Sequence, residues 1–194
     1  MNTLFEMQDN LSADDSNEWY TPARYIEAAR QVMGTIDLDP ASCELANRTV
    51  KAQRYYTSEQ DGLRQQWSGN VWLNPPYSAS IAIPMPQLTW SRKLLTCYQQ
   101  GQVEQGILLI MACVKQRWFH DLWSKVDTPI CFTRKRIYFL RPAGSTNELR
   151  ESTCFFYLGP HESTFIEVFS QFGTLARAIP TPKSQLTSLW EGYN

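Results

Sequence analysis

The chain has 194 residues, a formal net charge of −1, and 43 % hydrophobic and 13 % aromatic residues. That length fits one domain with a substantial core, and the composition excludes a disordered polymer. No stretch approaches the roughly 20 apolar residues a membrane helix needs, so no membrane association is expected.

Met1 to Glu18 carries five acids, no base and no apolar core. It reads as a flexible lead-in over residues 1–16, not as a secretory signal. Residues 21–33 then read as a helix. Thr21 is placed to cap it, Pro22 suits the first helical position, and Ile26, Ala29, Val32 and Met33 make an apolar stripe ended by Gly34. Thr35 to Asp39 is short and β-like, and Pro40 stops it; a helix over 42–52 and a turn at Asp61-Gly62 follow. Val71-Trp72-Leu73 is the next strand, and residues 86–100 are helical. Gly106 to Ala112 is the most apolar run and reads as a central buried strand. A short helix over 116–125 precedes strands at 129–133, 136–141 and 153–158, with the loop Pro142 to Asn147 between the last two. A helix over 162–171, ended by Gly173, and a strand over 174–179 complete a single domain spanning 17–180, and residues 181–194 form an irregular tail. Strands that alternate with helices and then dominate predict an α/β fold with a mostly parallel sheet and an antiparallel edge. Such sheets bind ligands beyond the carboxyl ends of their strands, where Asp39 and Asn74 both fall.

The most informative residues are Asn74-Pro75-Pro76-Tyr77, directly after the strand. They offer the chemistry needed to methylate an exocyclic amine of a nucleobase. Such an amine is a poor nucleophile because its lone pair is delocalised into the ring. Acceptors aimed at both of its hydrogens draw the nitrogen towards a tetrahedral shape as the methyl arrives, which stabilises the transition state with preset dipoles. The Asn74 side-chain carbonyl and the Pro75 backbone carbonyl are the candidate acceptors. Pro75 and Pro76 hold them stiffly, and Tyr77 adds a flat face for an extruded base. The plainer reading of the same tetrad is a strand that ends in a proline turn.

Charge is unevenly spread. Residues 1–40 carry eight acids against two bases, whereas 113–150 carry eight bases against three acids. In the second segment Lys115, Arg117, Arg134, Lys135, Arg136 and Arg141 are interleaved with Trp118, Phe119, Trp123, Tyr138 and Phe139. That mixture suits a phosphate backbone and unstacked bases; its plainer reading is a solvated basic surface over core aromatics. The five cysteines, Cys43, Cys97, Cys113, Cys131 and Cys154, are odd in number and form no Cys-x-x-Cys motif, which points to a reduced, cytoplasmic setting. His120 and His161 are far apart, so no metal is expected.

With the tetrad in place, the rest of the sequence resembles the phage-type DNA N6-adenine methyltransferases, the Dam family of phages and prophages. The resemblance rests on Glu18-Trp19-Tyr20-Thr21-Pro22, Ile36 to Ser42, Tyr55-Tyr56-Thr57, Asp61-Gly62-Leu63, Trp67, Asn70 to Ser78 and Arg136 to Phe139. It covers most of residues 17–178. It implies a Rossmann-like class I methyltransferase fold that uses S-adenosylmethionine. By the same resemblance, Trp19, Tyr20, Thr21 and Pro22 belong to the segment that contacts the methionine end of the cofactor. Asp39, Pro40 and Ala41 resemble the acidic strand end that holds its ammonium, Asp61 the contact to its adenine, and Asn74 a shared contact. Thr21 and Asp61 read equally well as a helix cap and a turn residue.

The chain departs from the wider methyltransferase pattern in two ways. No glycine follows Asp39 in Pro40-Ala41-Ser42-Cys43-Glu44, and the gap to Val71 is too short for two full βα units, so the sheet is expected to be trimmed after its first strand.

The resulting expectation is methylation of the adenine N6 amine in double-stranded DNA, with GATC as the family-level target. The target base would rotate out of the duplex, and a DNA-facing insertion around 113–150 would read its neighbours. A phage or prophage gene acting in the host bacterial cytoplasm, in the context of restriction and modification, is the setting this implies. The alternatives are methylation of a guanine amine in RNA, methylation of a protein glutamine, or a catalytically silent DNA-binding relative.

Overall fold

The computed structural model describes residues 19–141, 146–148 and 152–179; the predicted lead-in and tail lie outside the described residues. The first helix, α1 (Ala23–Met33), buries Tyr25, Ile26, Ala28, Ala29, Val32 and Met33 and ends at Gly34, whose φ of 81° suits glycine and whose N–H bonds the Arg30 carbonyl. Its start differs from expectation. Pro22 is the N-cap residue, still extended at φ −59° and ψ 143°, so Thr21 lies one residue too early to cap. The Thr21 hydroxyl is buried without a hydrogen-bond partner.

Strand β1 is only Leu38–Asp39. The residues before it are held differently: Thr35 donates to the Asp37 carboxylate at 2.9 Å, and that carboxylate accepts the Asn70 amide at 2.8 Å. Next come α2 (Glu44–Val50), capped by Cys43 Sγ, and β2 (Arg54–Tyr55), a strand the sequence pattern does not announce. They are followed by β3 (Gly69–Leu73), α3 (Pro86–Gln99), β4 (Val103–Met111), α4 (Arg117–Trp123) and β5 (Ile130–Thr133). The remainder comprises β6 (Tyr138–Leu140), β7 (Thr146–Glu148), β8 (Thr153–Leu158), α5 (Glu162–Phe169) and β9 (Gly173–Ala176). Strand β7 begins inside the predicted loop because it pairs antiparallel with β6 in a separate two-stranded ladder.

The main sheet has the order β2-β1-β3-β4-β8-β5-β9. Its first four strands are mutually parallel, β8 runs against both β4 and β5, and β9 runs against β5. The sheet is thus mostly parallel in strand direction, with the antiparallel part beginning at β8. On the other side it is trimmed as expected: beyond β3 lie only the two-residue strands β1 and β2.

Side chains alternate between two apolar layers. Ile107, Leu109, Phe155 and Tyr157 pack in the layer shared with α1 and α5, while Leu108, Ile110, Cys154 and Phe156 pack in the layer shared with α3 and α4. Each such side chain, fully buried, contributes roughly 1.5–3 kcal/mol, so these two layers hold the strand ends in fixed register. The basic segment does not stand apart from this core as a block. Strand β5 belongs to the main sheet and buries Ile130 and Cys131 completely, whereas β6 and β7 form the separate ladder.

Candidate active site

Because β1 and β3 are parallel neighbours, Asp39 and Asn74 emerge at the same edge of the sheet. There they line a cavity of about 800 Å³, within the roughly 300–1,000 Å³ range of small-molecule sites. Trp19, Tyr20, Thr21, Pro40, Ala41, Asp61, Pro75 and Pro76 line it too. Of the residues expected at a cofactor only Pro22 is absent from the wall, and among the tetrad only Tyr77.

The Asn74 amide is held at both ends. Its Nδ2 donates to the Trp19 carbonyl at 2.8 Å, and its Oδ1 accepts from the Tyr77 hydroxyl at 2.8 Å. These two bonds decide which way the amide faces, and they leave Oδ1 one further lone pair. The Tyr77 ring is half-buried, edge-on to Trp19 at 6.3 Å and to Phe139 at 6.0 Å. Desolvation, with a smaller contribution from Cys154, raises its phenol well above the ordinary value, so the hydroxyl stays a donor. Sequence reasoning missed this hydroxyl, treating Tyr77 as a flat face alone.

Asp39 is 3 % exposed. Burial pushes its carboxyl up to about 7; the Ala41 amide at 3.3 Å and the nearby Ser42 hydroxyl, too poorly placed for a good hydrogen bond, offset only part of this. A buried carboxylate with so little compensation suits a cationic ligand group. Where a glycine-rich loop would follow the first strand, Cys43 lines the cavity and caps α2: its Sγ accepts the Ala46 amide and lies 3.4 Å from the Tyr20 hydroxyl.

Another part of the wall comes from the loop 61–65, through Asp61 to Arg64, with Gly62 packed against Pro40. Both Asp61 oxygens are engaged there, one by the Leu63 amide at 3.2 Å and one by Arg64 at 3.1 Å. The Trp67 indole donates to the Gly62 carbonyl at 2.8 Å, and Lys93 Nζ donates to the Leu63 and Gln65 carbonyls, both at 2.6 Å. Trp67 also stacks on Trp90, which lines the cavity. Lys93 carries no sequence signal, because nothing in a helical stripe marks which lysine reaches a distant loop. A nucleoside bearing an ammonium fits this donor set: a buried carboxylate, the unpaired Thr21 hydroxyl, and apolar walls at Leu63 and Trp90.

None of the six basic residues expected at DNA lines the cavity. Their placement is nonetheless one-sided: Lys115 follows the carboxyl end of β4 and Arg134-Lys135-Arg136 that of β5, the same edge as Asn74. All four are exposed. Arg117, on α4, pairs with Asp121 at 3.9 Å, and Arg134 also donates to the Gly173 carbonyl at 3.4 Å. Arg141 lies over the Trp19 ring at 4.9 Å, and Leu140 exchanges two backbone hydrogen bonds with Tyr20, both 2.9 Å. The β6 ladder therefore docks beside the tetrad.

The seven-stranded sheet, with antiparallel β8 between two strands of the other sense and a cavity over the ends of β1 and β3, is that of the Rossmann-like methyltransferases. Comparison with protein families narrows the class. The chain belongs to the DNA N-6-adenine-methyltransferase (Dam) family, whose model matches residues 8–156. Methyltransferases of this family normally use S-adenosylmethionine. A search of curated proteins found no match. Among the described residues no helix is long and apolar enough to cross a membrane, and no cluster of three or more His, Cys, Asp or Glu is placed to hold a metal ion.

Proposed function

We propose that this chain transfers a methyl group from S-adenosylmethionine to the N6 amine of adenine in double-stranded DNA, with GATC as its target. The observation that supports this most is the Asn74 amide, turned by Trp19 and Tyr77 and opening on the cavity that Asp39 shares. Bound there, the cofactor supplies an electrophilic methyl carbon. Asp39 faces its ammonium, the Thr21 hydroxyl finds a partner, and Asp61 and Leu63 border its adenine. The remaining lone pair of Asn74 Oδ1 and the Pro75 carbonyl accept the two hydrogens of the target amine. Trp19 on the cavity wall and half-buried Tyr77 beside it, both packed edge-on against fully buried Phe139, offer aromatic surface to the rotated base. No general base acts before transfer, because the amine becomes acidic only once it has gained the methyl. Exposed Lys115, Arg134, Lys135 and Arg136, with Arg141, hold the phosphates around the opening. The five free cysteines suit the reducing cytoplasm of a bacterial host in which a phage or prophage gene of this kind would act.

Transfer of labelled methyl groups to DNA, RNA and protein offered separately tests this reading. Label is expected in duplex DNA alone, and label in RNA or protein alone would overturn it. Digestion with enzymes that differ in sensitivity to adenine methylation then tests GATC.

Asp39 gives a pH prediction. Its folded pKa, about 7, lies above the ordinary 3.8, so the free protein holds a proton that the unfolded chain has lost across that window. Folding stability from this group is therefore lost, not gained, as pH rises from about 4 to 7. A cationic ligand needs the ionised form. Affinity for S-adenosylhomocysteine, which keeps the ammonium, should rise towards tenfold per pH unit below about 7 and flatten above it. Calorimetry should show proton release at pH 6, and Asp39→Asn should remove both the release and the slope.

A further inference from the structure

The turn immediately after the tetrad carries an isoleucine that the fold leaves in water. Ile81 is fully exposed, at 103 %. Two hydrogen bonds between Ser80 and Ile83 clasp this turn, the Ser80 amide to the Ile83 carbonyl at 3.1 Å and the Ile83 amide to Ser80 Oγ at 3.0 Å, leaving Ile81 and Ala82 at its tip. Ser80, Ala82 and Ile83 line the cavity, whereas Ile81 does not. The turn is thus part of the cavity rim, with Ile83 facing the cavity and Ile81 standing outside. A single exposed aliphatic residue is ordinary on a protein surface. Here the side chain is presented by a clasped turn, four residues beyond Tyr77, so no more than about 14 Å of chain separates them. The same sheet edge also bears exposed Val114, next to Lys115, and the separate β6 ladder that docks beside the tetrad adds exposed Tyr138 and Leu140 near Arg136 and Arg141. Apolar tips among cations suit DNA whose bases have been parted.

We propose that Ile81 is a positioning residue for the reaction, a wedge that enters the base stack and fills the space left when the target adenine rotates into the cavity. This rests on the DNA reading above. A base leaving the stack opens an apolar gap and costs its stacking and pairing, and a rigid aliphatic side chain in that gap recovers part of the loss. The wedge acts on the duplex, not on the methyl transfer itself.

Single-turnover methylation separates these effects. One duplex holds a site that the wild-type protein methylates; a second is identical except that the target adenine faces an abasic position and is already unpaired. Ile81→Ala removes three carbons, so its rate on the paired duplex should fall roughly 10- to 30-fold. On the abasic duplex the rate should stay close to wild type, as should calorimetric affinity for S-adenosylhomocysteine, and Ile81→Met should recover most of the loss. An unchanged rate on the paired duplex, or an equal loss on both, would overturn the wedge while leaving DNA methylation in place. Failure to find any duplex site that the wild-type protein methylates would refute the DNA reading, and this inference with it.

Discussion

Asn74→Ala is expected to lower kcat by about 10²- to 10³-fold, the scale of losing one preset dipole at a transition state. Affinity for S-adenosylhomocysteine should change little, because Asp39, Thr21 and residues 61–64 line the cavity independently of the Asn74 side chain. The hydrogen bonds around Asn74 sharpen this expectation. Tyr77→Phe keeps the aromatic ring and removes only the hydroxyl that turns the Asn74 amide. It should therefore cost about tenfold, the worth of one ordinary hydrogen bond, and less than Tyr77→Ala, which also opens the contacts to Trp19 and Phe139. Single-turnover rates and calorimetry on the same preparations check both parts. An Asn74→Ala protein with near-normal turnover would remove Asn74 from the chemistry.

Gly62→Ala is expected to be nearly as damaging, by another route. A Cβ at this position would lie 2.0 Å from the Pro40 carbonyl oxygen and 3.1 Å from the Trp90 ring. The loop is not free to withdraw, since Trp67 and Lys93 both hold its carbonyls. Overpacking of this kind costs about 1–3 kcal/mol. Here it pushes apart two walls of the cavity, so affinity for S-adenosylhomocysteine should fall about 10- to 100-fold. Gly173→Ala provides the control. Its Cβ would lie 1.9 Å from the Phe132 carbonyl oxygen, between β9 and β5, away from the cavity. That variant should lose stability in urea yet bind the ligand normally wherever it is folded. Normal binding by Gly62→Ala would exclude the 61–65 loop from the site.

Much of this arrangement is legible in the sequence because strong local patterns coincide. The apolar stripe of α1, the run that becomes β4 and the strand before the tetrad each have one stable solution in a layered α/β fold. Asp39 and Asn74 can be placed together because parallel strands put their carboxyl ends at one edge. What stays hidden depends on contacts between distant segments. Strand β2 is two residues long and has no periodicity to read; it exists because Leu38 and Asp39 offer it an edge. Thr21 looks like a cap until Pro22 proves to be extended. Several residues that carry the family resemblance turn out to be structural. The Asp37 carboxylate and backbone tie β1 to β3, the Asn70 side chain bonds the Met33 carbonyl at the end of α1, and Trp67 fixes the Gly62 loop. Lys93 and the Tyr77 hydroxyl were invisible for the same reason: each acts on a loop or side chain whose position only the folded chain defines.

The central claim is that the oriented Asn74 amide, beside a cavity that holds S-adenosylmethionine, directs a methyl group to adenine N6. It is tested most directly by nucleoside mass spectrometry of unmethylated duplex DNA incubated with that cofactor and either wild-type or Asn74→Ala protein. N6-methyladenine should accumulate with the wild type and be nearly absent with the variant, with no methylated cytosine in either. Methylation at another base, or equal N6-methyladenine from both proteins, would contradict the account.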